Sequence, residues 1–236
     1  HRIRRRVVKE NDVILKRQST QIFFKNGDTD FFFNWLLGIG EIFGFSHGEL
    51  YYLAQRLGNS PKPDDWKNVF LSHVNYLEQE ASNSGLSEQT KAQYYLAQTY
   101  SLRSAIQFTD PFSDEYLPTV RQMEKVFSSA IHSLGAPIEK LTIPYQGSYL
   151  PGYYLHSGDN CPTLIMIGGG DTYREDLFYF AGYPGWIRNY NVLMVDLPGQ
   201  GTNPDRGLTF DVNAAIPISL CIDWLEGRNP ELNDLA

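Results

Sequence analysis

Cysteine is nearly absent from these 236 residues: Cys161 and Cys221 are the only two, and each stands alone. No CxxC or Cys/His spacing surrounds them, so nothing calls for a zinc ion, a redox pair or a disulfide framework. Their apolar neighbours mark both as small buried hydrophobes. Long hydrophobic runs are missing too, none approaching the roughly 18 residues of a membrane span. The basic start, His1-Arg2-Ile3-Arg4-Arg5-Arg6, has no apolar stretch behind it and does not read as a secretory signal. With neither signal nor disulfides, the expected compartment is the cytoplasm. Positive charge is scarce beyond that start. Residues 1–17 carry seven Lys and Arg against two Asp and Glu, a local +5 within a net charge of −7, which leaves −12 on the rest. An acidic body repels phosphate backbones, so neither nucleic acid nor membrane is expected as a partner, and the arm reads as a solvated terminus.

What the chain does have is apolar bulk. A hydrophobic fraction of 42% and an aromatic fraction of 14% can fill a core, which excludes global disorder. Between about residues 28 and 135 that bulk recurs with helical period. Pro63-Asp64 opens a helix whose stripe is Trp66, Val69, Phe70, Val74 and Leu77. A second helix follows Ser87, with Ala92, Tyr95, Leu96, Leu102 and Ile106 apolar. A third has Pro118 in its first turn, carries Val120, Met123, Phe127, Ala130, Ile131 and Leu134, and meets Gly135 as a left-handed stop. Phe31 to Phe45 and Glu49 to Leu57, the latter closed by Gly58, read as further helices.

After Gly135 the period becomes two. Glu139 to Pro144 alternates, Gln146-Gly147 turns, and Tyr149 to His156 returns. Thr163-Leu-Ile-Met-Ile167 and Asn191-Val-Leu-Met-Val195 are short continuous apolar runs, expected for strands buried on both faces. A helix over Asp176 to Arg188 makes them parallel. Asp211 to Leu225 reads as an amphipathic helix with Ala215, Ile218, Ile222 and Leu225 on one face. Hairpin, strand, helix, strand, helix is the opening of an open α/β sheet.

Two turns carry chemistry. Ile167-Gly168-Gly169-Gly170-Asp171 ends a strand at the carboxyl edge, where α/β folds place ligands and where freed glycine N–H groups can hold a developing negative oxygen. The next strand ends in Val195-Asp196-Leu197-Pro198-Gly199-Gln200-Gly201. Together these resemble the α/β-hydrolase superfamily over roughly residues 28 to 226. With the helical region, Ile143-Pro-Tyr145 to Leu150-Pro-Gly-Tyr153 and Gly-Gly-Gly-Asp-Thr-Tyr-Arg-Glu, the chain is similar to a helical-capped subgroup. That subgroup includes fermentation–respiration-switch-type esterases, acylaminoacyl-peptidase-like proteins and ketone-cleaving C–C hydrolases.

The resemblance implies a partial α/β-hydrolase sheet behind an all-helical cap. Residues 1–27 would be the basic arm, 28–135 the cap, and 136–236 the N-terminal half of the core. It implies a serine hydrolase acting on an ester, amide or activated ketone, and needing no cofactor or metal. Gly168, Gly169, Gly170 and Asp171 would form the oxyanion and substrate pocket, with Asp171 either orienting the substrate or capping a helix. Asp196 would hold the turn after its strand, and Glu175 and Asp176 would be first-turn charges. In the family's chain order the serine, acid and histidine come later, so all three are expected after Ala236 and the chain alone is expected to be inactive.

Gly44-Phe45-Ser46-His47-Gly48 matches G-x-S-x-G, but no strand leads into it and it precedes the glycine turn, which makes Ser46 a decoy. Gly38, Gly40 and Gly44 likewise fail as a dinucleotide loop. His73 and His132 read as packing or surface residues, while His156 ends a strand near the loop. The partner implied is a small molecule or peptide carrying an acyl group. Uncovered parallel strands also favour a homo-oligomer. The alternative function is a non-catalytic helical adaptor with a hydrolase-like remnant.

Overall fold

The computed structural model describes residues 21–40 and 45–228. Five helices come first: α1 Gly27–Gly40, α2 His47–Leu57, α3 Pro63–Ala81, α4 Glu88–Ile106 and α5 Tyr116–Leu134. Their ends follow local chemistry. Ser46 and Ser87 accept the N–H groups of the third helical residues, Glu49 and Thr90, at the starts of α2 and α4, Pro63 opens α3, and Gly135 closes α5 in the left-handed conformation. The expected helix from Phe31 to Phe45 is α1; residues 41–44 lie outside the described residues.

Before α1 the chain already belongs to the packed body. Buried Asp30 takes the backbone N–H groups of Ile22, Phe23 and Phe24, and Phe24 is buried in the helical core. The boundary expected at residue 28 therefore falls inside a docked segment; residues 1–20 of the arm lie outside the described residues. Helix α4 packs between α3 and α5, so it is buried on all sides from Leu96 to Ile106, polar Gln98, Thr99, Ser101, Arg103 and Ser104 included.

The sheet has the order β1-β2-β4-β3, from β1 Ile138–Tyr145, β2 Ser148–Leu155, β3 Thr163–Ile167 and β4 Asn191–Val195. β1, β2 and β4 are antiparallel neighbours, and β3 pairs with β4 in parallel. The crossover runs through α6 Arg174–Leu177, a π-helical turn Phe178–Gly182 and α7 Tyr183–Trp186. β4 is the central strand by burial. Val192 and Met194 join the helical core on one face, while Leu193 and Val195 pack on the other against α8 Ala215–Arg228. The architecture is α/β in three layers: helical region, mixed sheet, single helix.

Three sequence expectations need correction. β3 is not buried on both faces: it is an edge strand among the described residues, with only β4 beside it, and Leu164 is 41% exposed. Cys161 is half-buried in the turn before β3, whereas Cys221 is buried as expected. Helix α8 buries Pro217, Cys221 and Leu225 and leaves Ala215 and Ile222 exposed, a different face from the one expected. Among the described residues, no helix is long and apolar enough to cross a membrane.

Candidate active site

The parallel strands β3 and β4 end side by side, Ile167 opposite Val195, so the two turns that follow them meet at the carboxyl edge of the sheet. Gly168 leaves β3 under close approach: a Cβ there would lie 2.6 Å from Thr172 Cβ, which only glycine avoids. The turn then closes on itself, with Thr172 N–H donating to Gly169 O at 3.2 Å and Gly169 N–H donating to Thr172 Oγ1 at 3.0 Å. Gly169 N–H is thus occupied within the loop. Gly170 and Asp171, both exposed, line a cavity of about 670 Å³, within the size range of small-molecule sites.

The turn after β4 forms the second wall. Gly201 has φ +54, and a Cβ on it would lie 2.3 Å from Asp196 Oδ2, so backbone and side chain approach as closely as glycine allows. Asn203, fully buried, donates to the carbonyls of Asp196 and Leu197 at 2.8 and 2.9 Å. Gln200 ties the two turns together: its Nε2 donates to Gly168 O and Gly169 O, both at 2.7 Å, and its Oε1 accepts from Leu197 N–H at 2.8 Å.

The roof comes from the helical region. Ile106, Gln107, Phe112, Tyr116 and Leu117, from the end of α4 through the start of α5, face Gly170, Gly199 and Asp205 across the cavity. Tyr116 and Tyr173 join hydroxyl to hydroxyl, linking the roof to the residue three after Gly170. Burial drives the Tyr173 phenol strongly upward, so it stays protonated and can donate.

Beneath this seam lies a charged network that the sequence does not announce. Arg103, from α4, gives its Nε to Asp176 Oδ2 at 2.9 Å and its Nη2 to Asp171 O at 2.8 Å, and stacks over the Tyr173 ring at 4.9 Å. Arg174 meets Asp196 Oδ2 at 2.9 Å, Glu175 Oε1 at 3.3 Å, and Glu124 of α5. Tyr153 donates to Glu175 at 2.6 Å. Desolvation pushes Glu175 and Asp176 up, and Asp196 up to about 7, against the pull of the two guanidinium groups.

These contacts revise several expected roles. Glu175 and Asp176 stand in the first turn of α6, as expected, but they are also buried ion-pair partners of Arg174 and Arg103. Asp176, rather than Asp171, caps α6 by accepting Tyr173 N–H at 3.0 Å. The turn after β4 is held by Asn203 and Gln200, while the Asp196 side chain serves Arg174. His156 sits at the opposite edge: β2 ends where Leu155 pairs with Val192, and His156 meets Asp159 at 3.2 Å. His132 is exposed; His73 is buried against Ser101 Oγ at 2.9 Å. Ser46 caps α2 in a reciprocal capping box with Glu49 and does not line the cavity. Of the residues the sequence missed, Arg103 had a signal. It lies seven positions after Leu96 and three before Ile106, on the apolar stripe of its own helix.

A glycine turn and an Asp-Leu-Pro-Gly-Gln-Gly turn thus end adjacent parallel strands of an α/β fold, beneath a roof of helices. The chain is similar to proteins named as hydrolases or hydrolyases. Over 212 residues the chain is 27% identical to the hydrolyase ccsE of Aspergillus clavatus, covering 80% of this chain and 48% of that one. Over 192 residues it is 26% identical to the α/β hydrolase ucsC of an Acremonium species, covering 71% and 38%. The solved structure of the 2,6-dihydroxy-pseudo-oxynicotine hydrolase superposes with a TM-score of 0.55 at 22% identity, covering 70% of this chain and 46% of that one. No protein-family model matches. The chain thus spans less than half the length of these two curated relatives.

Proposed function

We propose that this chain supplies the oxyanion half of a capped serine hydrolase acting on an ester, amide or activated ketone, with the serine, acid and histidine contributed by sequence after Ala236. The observation that carries the reading is the Gly170 backbone: it lines a roofed cavity at the carboxyl end of β3, on a turn where Gly169 N–H and the Gly168 and Gly169 carbonyls are engaged elsewhere. In this reading the serine Oγ bonds to the substrate carbonyl carbon and its proton passes to the histidine. The carbonyl oxygen, now negative, takes the Gly170 N–H and a second N–H from the residue after the serine. Collapse expels the alcohol, amine or enolate, which collects that proton, and water then releases the acyl group. Ile106, Phe112 and Leu117 favour an apolar acyl chain on a small molecule or peptide, with the Tyr116–Tyr173 pair as a hydrogen-bond donor beside it. Esterase and acyl-peptidase-like chemistry both fit this cavity.

The test is labelling by a fluorophosphonate probe in the protein expressed from its natural reading frame, alongside residues 1–236. Labelling of the former alone, kept in Gly170→Ala and reduced in rate about 100-fold or more in Gly170→Pro, is the expected outcome. A longer protein that no serine-directed probe labels would favour the adaptor reading, and loss of labelling in Ser46→Ala would transfer the nucleophile to Ser46.

A further inference from the structure

We propose that Gln200 is a positioning residue that aims the Gly170 N–H, an inference that rests on the hydrolase reading above. Gln200 is buried, 5% exposed, and its amide orientation is fixed by its partners. Leu197 N–H can only donate, so Oε1 must face it; Gly168 O and Gly169 O can only accept, so the two Nε2 hydrogens must face them. A flipped amide would set oxygen against both carbonyls.

The consequence follows from peptide geometry. In a trans peptide the C=O and the following N–H lie in one plane and point in opposite directions. Fixing Gly168 O therefore fixes Gly169 N–H, and fixing Gly169 O fixes Gly170 N–H, both directed away from Gln200. The first of these N–H groups meets Thr172 Oγ1 at 3.0 Å; the second belongs to the residue that lines the cavity. One side chain thus sets two successive peptide planes. Its own anchor is the turn after β4, since Gln200 N–H also donates to Leu197 O at 2.9 Å. Gln200 touches no reacting atom; it acts through Gly170.

The direct test uses the nearly isosteric Gln200→Glu in the protein expressed from its natural reading frame. A carboxylate keeps the volume and the acceptor for Leu197 but opposes both glycine carbonyls. The expected result is a fall in kcat of about 10- to 100-fold towards an acyl ester with little change in KM, because an interaction made only in the transition state is weakened. Binding of a boronic acid, which forms the tetrahedral adduct, should weaken by a similar factor. As pH falls, the buried carboxyl protonates and regains a donor, so Gln200→Glu should recover relative to the parent, whereas Gln200→Met should stay low at every pH. A role in packing alone would instead lower the melting temperature without that recovery, and would overturn the proposal. Backbone 1H–15N shifts of Gly169 and Gly170 provide a readout free of turnover. Shifts unchanged between parent and Gln200→Glu would overturn the proposal whatever the activity. Shifts that move in a protein inert to every carbonyl substrate and boronate would uphold the geometry and remove the hydrolase reading.

Discussion

Removing the carboxylate at Asp196 should change how stability depends on pH, and the sign can be worked from the network. Glu124, Glu175, Asp176 and Asp196 share two guanidinium groups, Arg103 and Arg174, and all but Glu124 are almost fully buried. Four acids facing two cations in a desolvated seam hold a proton, and Asp196, pushed up to about 7, is one place for it. Its carboxyl is raised in the folded protein above the ordinary value of 3.8, so the folded state binds the proton more tightly than the unfolded chain. That stability is fully present below about pH 4 and is lost as pH rises through about 7. From pH 5 to pH 7 the folded protein gives up about two units of linkage, roughly 2–3 kcal/mol at 1.36 kcal/mol per unit. Asp196→Asn mimics the protonated acid and cannot ionise. Urea denaturation from pH 5 to 8 should find the variant near the parent at pH 5 and more stable than it at pH 8. Subtracting the two profiles cancels other titrating groups. Parallel profiles, or a variant that loses ground as pH rises, would refute the shared-proton account.

Other perturbations test the same seam and its surroundings. Arg103→Met leaves Asp176 buried without its cation and should cost about 3–5 kcal/mol in urea unfolding, while Lys67→Met, which breaks an exposed pair with Glu115, should cost under about 1 kcal/mol. Gly201→Ala places a methyl 2.3 Å from Asp196 Oδ2 at φ +54 and should lose about 2–4 kcal/mol by the same assay. Ser46→Ala removes the α2 cap and should cost about 1 kcal/mol, with probe labelling of the natural-frame protein unchanged. Residues 1–236 should associate with rising concentration in sedimentation velocity, and Leu164→Lys on β3 should weaken that association.

Much of the fold was legible because it is written in local grammar. Pro63, Ser87 and Gly135 mark helix ends through their own backbone chemistry, and the switch from a helical period to a period of two marks the start of the sheet. The glycine turn was found for the same reason. Phase and depth were harder. Helix α8 is apolar nearly all round, with Ile216, Ile218, Leu220, Ile222 and Trp224 flanking its buried Pro217, Cys221 and Leu225, so periodicity cannot choose its inner face. An apolar run such as β3 reads the same whether it is central or at an edge, because its burial depends on which strands lie beside it.

The charged seam was illegible for a deeper reason. A lone Glu175 or Asp176 in a first helical turn has the same local signature whether it is solvated or buried, and the Arg103 that pairs with Asp176 stands 73 positions away. Yet a buried charge is stable only when that distant partner arrives, so the seam is where the helical region and the sheet most depend on each other. Arg103 binds both Asp176 and the carbonyl of Asp171, which puts one cation from the roof in direct contact with the glycine turn. Arg174 does the same for the second turn by pairing Asp196 with Glu124 of α5. The roof is therefore wired to the loops it covers: a shift of α4 works against Arg103 and the first turn, and a shift of α5 works against Arg174 and the second.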